Sequence, residues 1–573
     1  MNLIKKIAFL LIIILFGTTI TGCTDDFEKL NTNPESLPDV EPEELLYTAE
    51  VQMLTSGHCW NAIYASKYRW MQYGSGIWGY NLTNYTYFSN SIGNTIYNEY
   101  NTMGTYVTHI RYLCDQKSDA ENYTNLKEMA RILLIAKGIQ TSDLFGSLVY
   151  SQGWLAQEGK VDDESMTPEF QTQEELSDVW NNELKESIEN LKAKLSSSSQ
   201  FDVKGQDRAY NGDAKKWIKA ANGLRLRLAS RLWKRKPEMA LTIAKEVLAP
   251  ANAEYVFDSN DDSFILWFDN LYTNVHTGDW HSVKDMEIAT YALMDYLKKN
   301  EDPRKRMYFV INNLTPENIK EFNAQQTDPA RLIPEDYTRW EGATCSYDKR
   351  TGGNIDRPYV RYYLTKGSEQ IDMRPANTPQ VRLWKGNDTE GSGGNWAPIM
   401  TYPDFCFLAA EFVFRENIAS NKTAQQWYET GVRASLDQWN TIGKFCDIAN
   451  YEAMTETEIA AFLAKPDIKW DTTKALEQIY AQTYIEHYKN VDEMYAFWKR
   501  TNYPNWENST IIQFEEPIIE KAPQKIPRKV KFTYPNDGVH NYENLKKRLD
   551  VMQQDPQFGD IQNEFGRLWW DIE

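Results

Sequence analysis

The stretch 210–232, YNGDAKKWIKAANGLRLRLASRL, constrains the fold of this chain more than any other part of it. It opens on Asn211-Gly212, a dipeptide typical of turns, and Asp213 follows at a position suited to a helix N-cap. The next apolar residues recur at three- and four-residue spacing: Trp217, Ala221, Leu224, Leu228 and Leu232. That period belongs to one face of a helix. The pattern predicts an amphipathic helix whose apolar stripe is flanked by Arg225, Arg227 and Arg231.

A second helix is predicted directly after the first. Pro237 stops the first pattern, and 237–248, PEMALTIAKEVL, places Met239, Ile243 and Val247 in register on one face. Two amphipathic helices joined by a short turn form a helical hairpin. Such a unit buries its apolar face only by stacking on neighbours, which is typical of helical-repeat proteins.

The same stretch resembles a known family. Its run Tyr-x-Gly-Asp-x-x-x-Trp-x-Lys-x-Ala-Asn-x-Leu-x-Leu-Arg-Leu-Ala-x-Arg is similar to SusD/RagB nutrient-binding outer-membrane lipoproteins of the Bacteroidota, in particular the SusD-like branch. Further matching elements follow in the family's order, at 143–150, 302–304, 397–415, 479–504 and 526–535, although Val149 stands where Pro is usual. The resemblance covers nearly the whole chain. It implies an all-α, tetratricopeptide-like helical-repeat scaffold with long irregular loops.

The N-terminus carries the features of a lipoprotein signal. Lys5 and Lys6 precede the apolar run 7–16, which is too short to span a membrane, and Thr21-Gly22-Cys23 resembles a lipobox. We therefore predict a signal peptide at 1–22, a lipidated Cys23 with a flexible tether at 23–42, and a single helical domain with inserted loops at 43–573. The alternative is a plain secretory signal with an incidental cysteine. By resemblance, the anchored protein lies in the outer membrane and faces the cell exterior.

Charge and cysteine content exclude several classes of function. The chain has 62 Lys and Arg against 81 Asp and Glu, a net charge of -19, which argues against nucleic acid as a partner. Its six cysteines form no CxxC pair, so a zinc ribbon and a thioredoxin motif are excluded. Five remain once Cys23 is lipidated, so at least one is free.

Aromatic residues in stretches without a regular period are the candidates for a ligand surface. Exposed Trp and Tyr side chains need a reason, and the apolar face of a pyranose stacks on aromatic rings. We predict that the stacking platform includes Trp78, Tyr80, Trp280 and Trp340, with Tyr85 and Tyr87 as further candidates. The segment 312–394 is expected to be irregular and to form the second half of this surface. The alternative is that these rings pack beneath neighbouring loops.

The sequence holds no positive sign of catalysis, metal or cofactor. It lacks a phosphate-binding glycine loop, HExxH and GxSxG, and the acidic turn of Asp258, Asp261 and Asp262 lacks the Gly and distal Glu of an EF-hand. The resemblance implies a binding protein, not an enzyme, that captures an oligosaccharide and delivers it to a TonB-dependent SusC-like transporter during polysaccharide utilisation. A peptide ligand is the first alternative and a surface glycosidase the second.

Overall fold

The computed structural model describes residues 40–76, 90–160, 162–268, 287–346, 357–384, 387–388 and 391–573. Asn211 and Gly212 take the left-handed backbone conformation, with φ of 53° and 85°. The Asp213 carboxylate then accepts hydrogen bonds from the backbone N–H groups of Lys215 (2.9 Å) and Lys216 (3.2 Å). The predicted turn and N-cap are confirmed at the start of the helix Ala214–Leu232.

Helices dominate the described chain. The longer ones are α1 (Pro42–Val51), α2 (Asn90–Gln116), α3 (Thr124–Phe145), α4 (Gln173–Lys194), α5 (Ala214–Leu232), α6 (Pro237–Leu248), α7 (Tyr291–Lys299), α8 (Pro316–Ala324), α9 (Tyr402–Glu416), α10 (Ala424–Phe445), α11 (Glu456–Leu463), α12 (Ala475–Glu486), α13 (Val491–Thr501) and α14 (Tyr542–Met552). Other helical segments include the π-helix His58–Lys67 and the short α-helical turns Tyr68–Trp70, Asp163–Met166 and Lys305–Tyr308.

The helices pack mainly against their neighbours in the chain. From α1 to α6, each helix contacts the next one, and α5 and α6 form the predicted hairpin. Helices α9, α10 and α12 pack together as a second layer, and α13 joins it through the Arg500–Glu411 ion pair with α9. The second layer meets the first where α5 contacts α9 and α3 contacts α13. This nearest-neighbour stacking is the arrangement expected of a helical repeat.

Helix α5 is buried on every side, not along one stripe. All residues from Trp217 to Leu232 are buried, including the arginines predicted to flank the apolar face. Arg227 donates to Asp404 Oδ2 at 2.7 Å, and Arg231 donates to Glu493 Oε2 at 2.7 Å. Buried charges of this kind are tolerated because each has an opposite charge within hydrogen-bond distance. The helix sits between both layers, so its polar face also meets protein.

Strands play a small part. The described residues contain β1 (Gly74–Gly76), β2 (Phe264–Phe268), β3 (Glu287–Ala289), β4 (Tyr362–Lys366), β5 (Glu369–Met373), β6 (Asn387–Asp388), β7 (Gly391–Ser392), β8 (Asn395–Met400), β9 (Ile518–Ile519) and β10 (Ala522–Pro523). They form antiparallel pairs: β1 with β3, β2 with β8, β4 with β5, β6 with β7 and β9 with β10.

The segment 312–394 is more regular than we expected from the sequence. Helix α8 and the β4–β5 hairpin pack around a small core of their own, and we call this unit the satellite module. Its core consists of Leu314, Ile319, Phe322, Ile333, Leu364 and Met373. Trp384, later in the same segment, is buried against Tyr68 in the main core. The prediction of an irregular surface loop is wrong for these parts, because non-local apolar contacts order them.

Two properties of the described residues bear on location and chemistry. None of their helices has both the length and the hydropathy of a membrane-spanning helix. Cys114, Cys406 and Cys446 are free and buried, which confirms that at least one thiol is unpaired. Burial raises the pKa of the Cys114 and Cys446 thiols to about 12, so these two are not reactive nucleophiles at neutral pH.

Candidate ligand-binding groove

Most of the predicted platform lies outside the described residues. Trp78 and Tyr80 fall in 77–89, as do Tyr85 and Tyr87, and Trp280 falls in 269–286. Cys23 also precedes the first described residue. Trp340 is described, and the flanks of the other segments show where the chain leaves and rejoins the scaffold.

The described residues just before the aromatic-rich segment 77–89 and just after the aromatic-rich segment 269–286 lie next to each other. Strand β1 precedes the first and β3 follows the second, and they pair antiparallel with Gly76 opposite Glu287. The residue before the first segment and the residue after the second therefore lie opposite each other, although they are far apart in sequence. This placement follows from the pairing alone and was not visible in the sequence.

The flanks of a third segment, 347–356, meet at the same pair of strands. Ser75 Oγ, in β1, donates a hydrogen bond to the Thr344 carbonyl at 3.0 Å and lies 2.9 Å from the Tyr359 hydroxyl. Glu515 holds the neighbouring turn by accepting bonds from the Cys345 N–H (2.9 Å) and Ser346 Oγ (3.0 Å). One flank of 77–89, one flank of 269–286 and both flanks of 347–356 thus meet around β1 and β3.

A groove opens between the helical body and the residues that lead into and out of the satellite module. It consists of two adjoining cavities of about 480 Å³ and 370 Å³, which share Ile311, Gln380 and Ala449 on their walls. We call the larger one, which Trp340 lines, the Trp340 groove, and the smaller one the Arg374 cavity. Volumes of this size suit a small ligand, and pockets commonly form between two packed units.

Trp340 is held in the groove wall by its backbone neighbours. Asn312 Nδ2 donates to the Thr338 carbonyl at 3.0 Å, and the Glu341 N–H donates to Asn377 Oδ1 at 2.6 Å. The indole is half-buried, and the ammonium of Lys305 lies 5.1 Å from its ring centroid. Such a cation–π contact orients both side chains and leaves part of the ring facing the cavity.

The amide side chains along the walls mainly support the backbone. Asn377 Nδ2 donates to the carbonyl of Val310 at 2.8 Å, and Gln380 Nε2 donates to the carbonyl of Arg306 at 3.1 Å. Gln380 also accepts a bond from the Ala449 N–H at 3.1 Å. These amides bond to backbone groups on both walls, so they fix the shape of the groove.

The carboxylates near Trp340 are engaged in ion pairs. Burial raises the pKa of Glu458, but two bonds of 2.9 Å from the Arg306 guanidinium, together with bonds from Thr455, outweigh it and lower the pKa. Asp302 is fully buried and bonds Arg304 at 2.7 Å. A glycosidase acid needs a carboxyl with a raised pKa. Glu458, whose pKa is lowered, does not fit that role.

The acidic turn considered for calcium is used by the fold. Asp262 Oδ2 accepts bonds from Lys219 Nζ (2.8 Å) and from the backbone N–H of Asp258 (2.9 Å). Across the described ranges, no group of three or more His, Cys, Asp or Glu side chains is placed to hold a metal ion.

Comparison with known proteins places the chain in a family. Residues 34–532 match the model of the SusD-like family, whose description is "Starch-binding associating with outer membrane". The chain belongs to the SusD-like family. The match spans most of the sequence, so the family resemblance inferred from the 210–232 run is confirmed. No curated protein sequence matches this SusD-like chain significantly.

Solved structures share the fold of this SusD-like chain. A chitin-binding protein is 23% identical, with a TM-score of 0.66 over 93% of this chain and 100% of its own. A Bacteroidetes AC2a SusD-like protein is 19% identical, with a TM-score of 0.67 over 93% and 100%. A chitin-binding SusD homolog from Flavobacterium johnsoniae is 18% identical, with a TM-score of 0.62 over 93% and 99%. The predicted helical, tetratricopeptide-like fold is confirmed.

Sequence reasoning found one residue of the groove and missed its cation. Trp340 was selected as an aromatic in an aperiodic stretch, and it does line a cavity. Lys305 was overlooked, although it directly follows the Asp302-Pro303-Arg304 turn that marks the family. The turn aims Arg304 into the core and leaves Lys305 facing the groove, a difference that residue type alone does not reveal.

Proposed function

We propose that this protein is a cell-surface binding lipoprotein that captures an oligosaccharide and delivers it to a TonB-dependent SusC-like transporter in the outer membrane. Family membership supports the outer-membrane setting and the binding of a glycan. Two of the structural relatives carry chitin binding in their descriptions, which supports a sugar ligand here. The protein binds its ligand without chemical conversion and needs no cofactor.

The observation that carries this proposal is the half-buried indole of Trp340 in a groove of about 480 Å³ with a polar rim. A sugar places its apolar face on an aromatic ring while its hydroxyls bond to amides and charged groups around the ring. Trp78, Tyr80 and Trp280 are proposed to extend the platform. The residue before the first of their segments, Gly76, pairs with the residue after the second, Glu287, which supports a shared platform.

The ligand site is tested by removing the indole. Trp340→Ala should weaken binding of a glycan found on an array by about 1–3 kcal/mol, by analogy with base–aromatic stacking. Isothermal titration calorimetry with the full chain in detergent measures this. Trp506→Ala is the matched control, because Trp506 is half-buried but lines neither cavity of the groove. Equal affinities for wild type and Trp340→Ala would move the site elsewhere.

The array also separates the alternatives. Binding to a peptide library with no response on glycans would replace the oligosaccharide by a peptide ligand. Release of reducing ends from a bound glycan would show a glycosidase. Neither outcome is expected, because two of the structural relatives are described as chitin-binding and two of the groove carboxylates, Asp302 and Glu458, are engaged by arginines.

The proposed lipid anchor has its own test. Cys23→Ala should move the protein from the membrane fraction to the soluble fraction, because the acyl chains that hold it in the bilayer can no longer be attached. Cys59→Ala is the control, since Cys59 is a buried thiol of the helical body. Unchanged fractionation of Cys23→Ala would contradict the proposal.

A further inference from the structure

The cations that line the groove differ in whether a carboxylate of the protein pairs with them. Most cations that line it have a carboxylate partner within the protein. Arg306 bonds Glu458 with two bonds of 2.9 Å, and Arg382 bonds Asp447 Oδ2 at 2.5 Å. In the Arg374 cavity, Arg374 lies 3.7 Å from Asp372, which also accepts a 2.6 Å bond from Arg361.

Lys305 has no such partner. Among the described residues, no carboxylate oxygen lies within 4.0 Å of its ammonium, which instead lies over the Trp340 ring, 5.1 Å from the ring centroid. The two nearest acidic residues in sequence are taken: Asp302 bonds Arg304 at 2.7 Å, and Glu301 bonds Lys465. Burial lowers the pKa of Lys305, and the charges of Asp302 and Glu301 offset only part of that effect.

A half-buried cation without a counter-ion is costly, and a bound anion removes that cost. Desolvation penalises the charge, whereas a carboxylate or sulfate at hydrogen-bond distance forms a charge-assisted bond stronger than one between neutral groups. The geometry also suits a sugar, because the ammonium sits over one part of the ring on which a pyranose would pack. The groove therefore offers an aromatic surface and a positive charge side by side.

We infer that the ligand of the Trp340 groove is a sugar that carries an anionic group, a carboxylate or a sulfate ester, and that Lys305 is its counter-ion. The inference rests on the proposed function, since it specifies the class of glycan bound at the same site. Glu452, an exposed residue on the groove wall, repels an anionic ligand. Removing its charge should therefore strengthen binding of that ligand by a smaller amount.

The test uses pairs of oligosaccharides that differ only in charge. One pair is an oligogalacturonate and its carboxyl-reduced form, and the other is a sulfated carrageenan oligosaccharide and its desulfated form. Chito- and malto-oligosaccharides serve as neutral references. Calorimetry with the full chain in detergent should show one anionic member binding roughly tenfold to a hundredfold more tightly than its neutral partner. Which pair responds distinguishes carboxylate from sulfate, and added salt should weaken that binding.

Variants of Lys305 test whether its ammonium causes the preference for the anionic sugar. Lys305→Gln should abolish the preference for the anionic sugar, Lys305→Arg should keep most of it, and Glu452→Gln should strengthen it modestly. Lys422→Gln is the matched control, because Lys422 also lies over a tryptophan, 4.2 Å from the Trp427 ring centroid, but lines neither cavity. Its affinity should equal that of wild type.

The outcomes separate the two proposals. Equal binding of charged and neutral partners, or an unchanged preference in a folded Lys305→Gln, overturns the anionic ligand while glycan capture stands. Binding confined to chito- or malto-oligosaccharides has the same meaning. Failure of every sugar to bind, with a response on a peptide library, overturns glycan capture as well. Thermal melts of Lys305→Gln and Lys305→Arg confirm that each variant is folded before it is compared.

Discussion

Arg304 and Lys305 are adjacent in sequence but belong to two regions with different rules for charge. Arg304 points into the helical body, is fully buried, and donates to Asp302 (2.7 Å), Ser435 (2.9 Å) and Gln482 (3.0 Å). Lys305 faces the groove, and its recorded contact is the ring of Trp340. In the body, most buried charges have an opposite charge or hydrogen-bond partners within the protein. In the groove, the Lys305 ammonium has no carboxylate oxygen within 4.0 Å among the described residues.

The body repeats this rule at other buried charges. His58 lies between Glu99 and Asp492, with each ring nitrogen 2.7 Å from a carboxylate oxygen, and Lys137 bonds Glu99 at 2.7 Å. These contacts join the π-helix with α2, α3 and α13. Charges that are paired in this way make the fold sensitive to the loss of one partner, because the other charge is then buried without compensation. Removing a charge that has no partner leaves no such uncompensated charge behind.

The largest effect is expected at Arg304. Arg304→Met leaves the Asp302 carboxylate buried without its partner, and we expect the free energy of unfolding to fall by about 3–5 kcal/mol. Chemical denaturation of the full chain measures the change. Arg433→Met is the control, because its ion pair with Glu456 is exposed and should be worth less than about 1 kcal/mol. Equal losses in the two variants would contradict the distinction between body and surface.

The second-largest loss of stability is expected in the apolar stripe of α5. Leu224 is buried in α5, where it faces Ile139 of α3 and Pro398 of β8, so Leu224→Ala should cost about 2–5 kcal/mol through lost burial and the cavity it leaves. Leu195→Ala, at a leucine that is 40% exposed, is the control. A melting temperature for Leu224→Ala within a degree of wild type would show that this stripe does not support the core.

Acid should reveal the paired charges of the body. Burial alone raises the pKa of Glu99, but His58 and Lys137 outweigh it and hold the pKa at about 2, against 4.5 unfolded. The stabilisation is present above pH 4.5 and lost as the pH falls toward about 2, on the order of 3 kcal/mol. Denaturation curves across that range measure it. Glu99→Gln should flatten the dependence, and the exposed control Glu238→Gln should not.

His58 acts at the other end of the pH range. Burial lowers its pKa, but the charges of Glu99 and Asp492 outweigh burial, so the pKa in the folded state lies above 6.5. Its contribution to stability is complete below pH 6.5 and is lost as the pH rises through the folded pKa. A stability that stays constant or rises across that interval would contradict this assignment.

The smallest effect is expected at Lys305. Because no described carboxylate pairs with it, Lys305→Gln leaves no partner charge uncompensated and should lower the free energy of unfolding by less than about 0.5 kcal/mol. The same denaturation experiment as for Arg304→Met measures it, so two neighbouring residues give the comparison directly. A loss comparable to that of Arg304→Met would show that Lys305 supports the fold and is not kept for a ligand.

Local patterns in the sequence determined the helices and their ends. The period of 217–232, the Asn211-Gly212 turn and the Asp213 cap depend on residues within a few positions of each other, and all are present. The order of such elements along the chain also identified the family. Short-range backbone geometry and side-chain spacing suffice for these features.

Tertiary structure alone decided which polar residues are buried and where the groove lies. The partners of Arg227 and Arg231 in the second layer, Asp404 and Glu493, lie far away in the sequence. The groove combines 301–311, Trp340, 372–382 and 449–461, which meet only after the satellite module packs beside the body. Sequence spacing carries no information on such long-range contacts, because loops of any length close at little extra entropic cost.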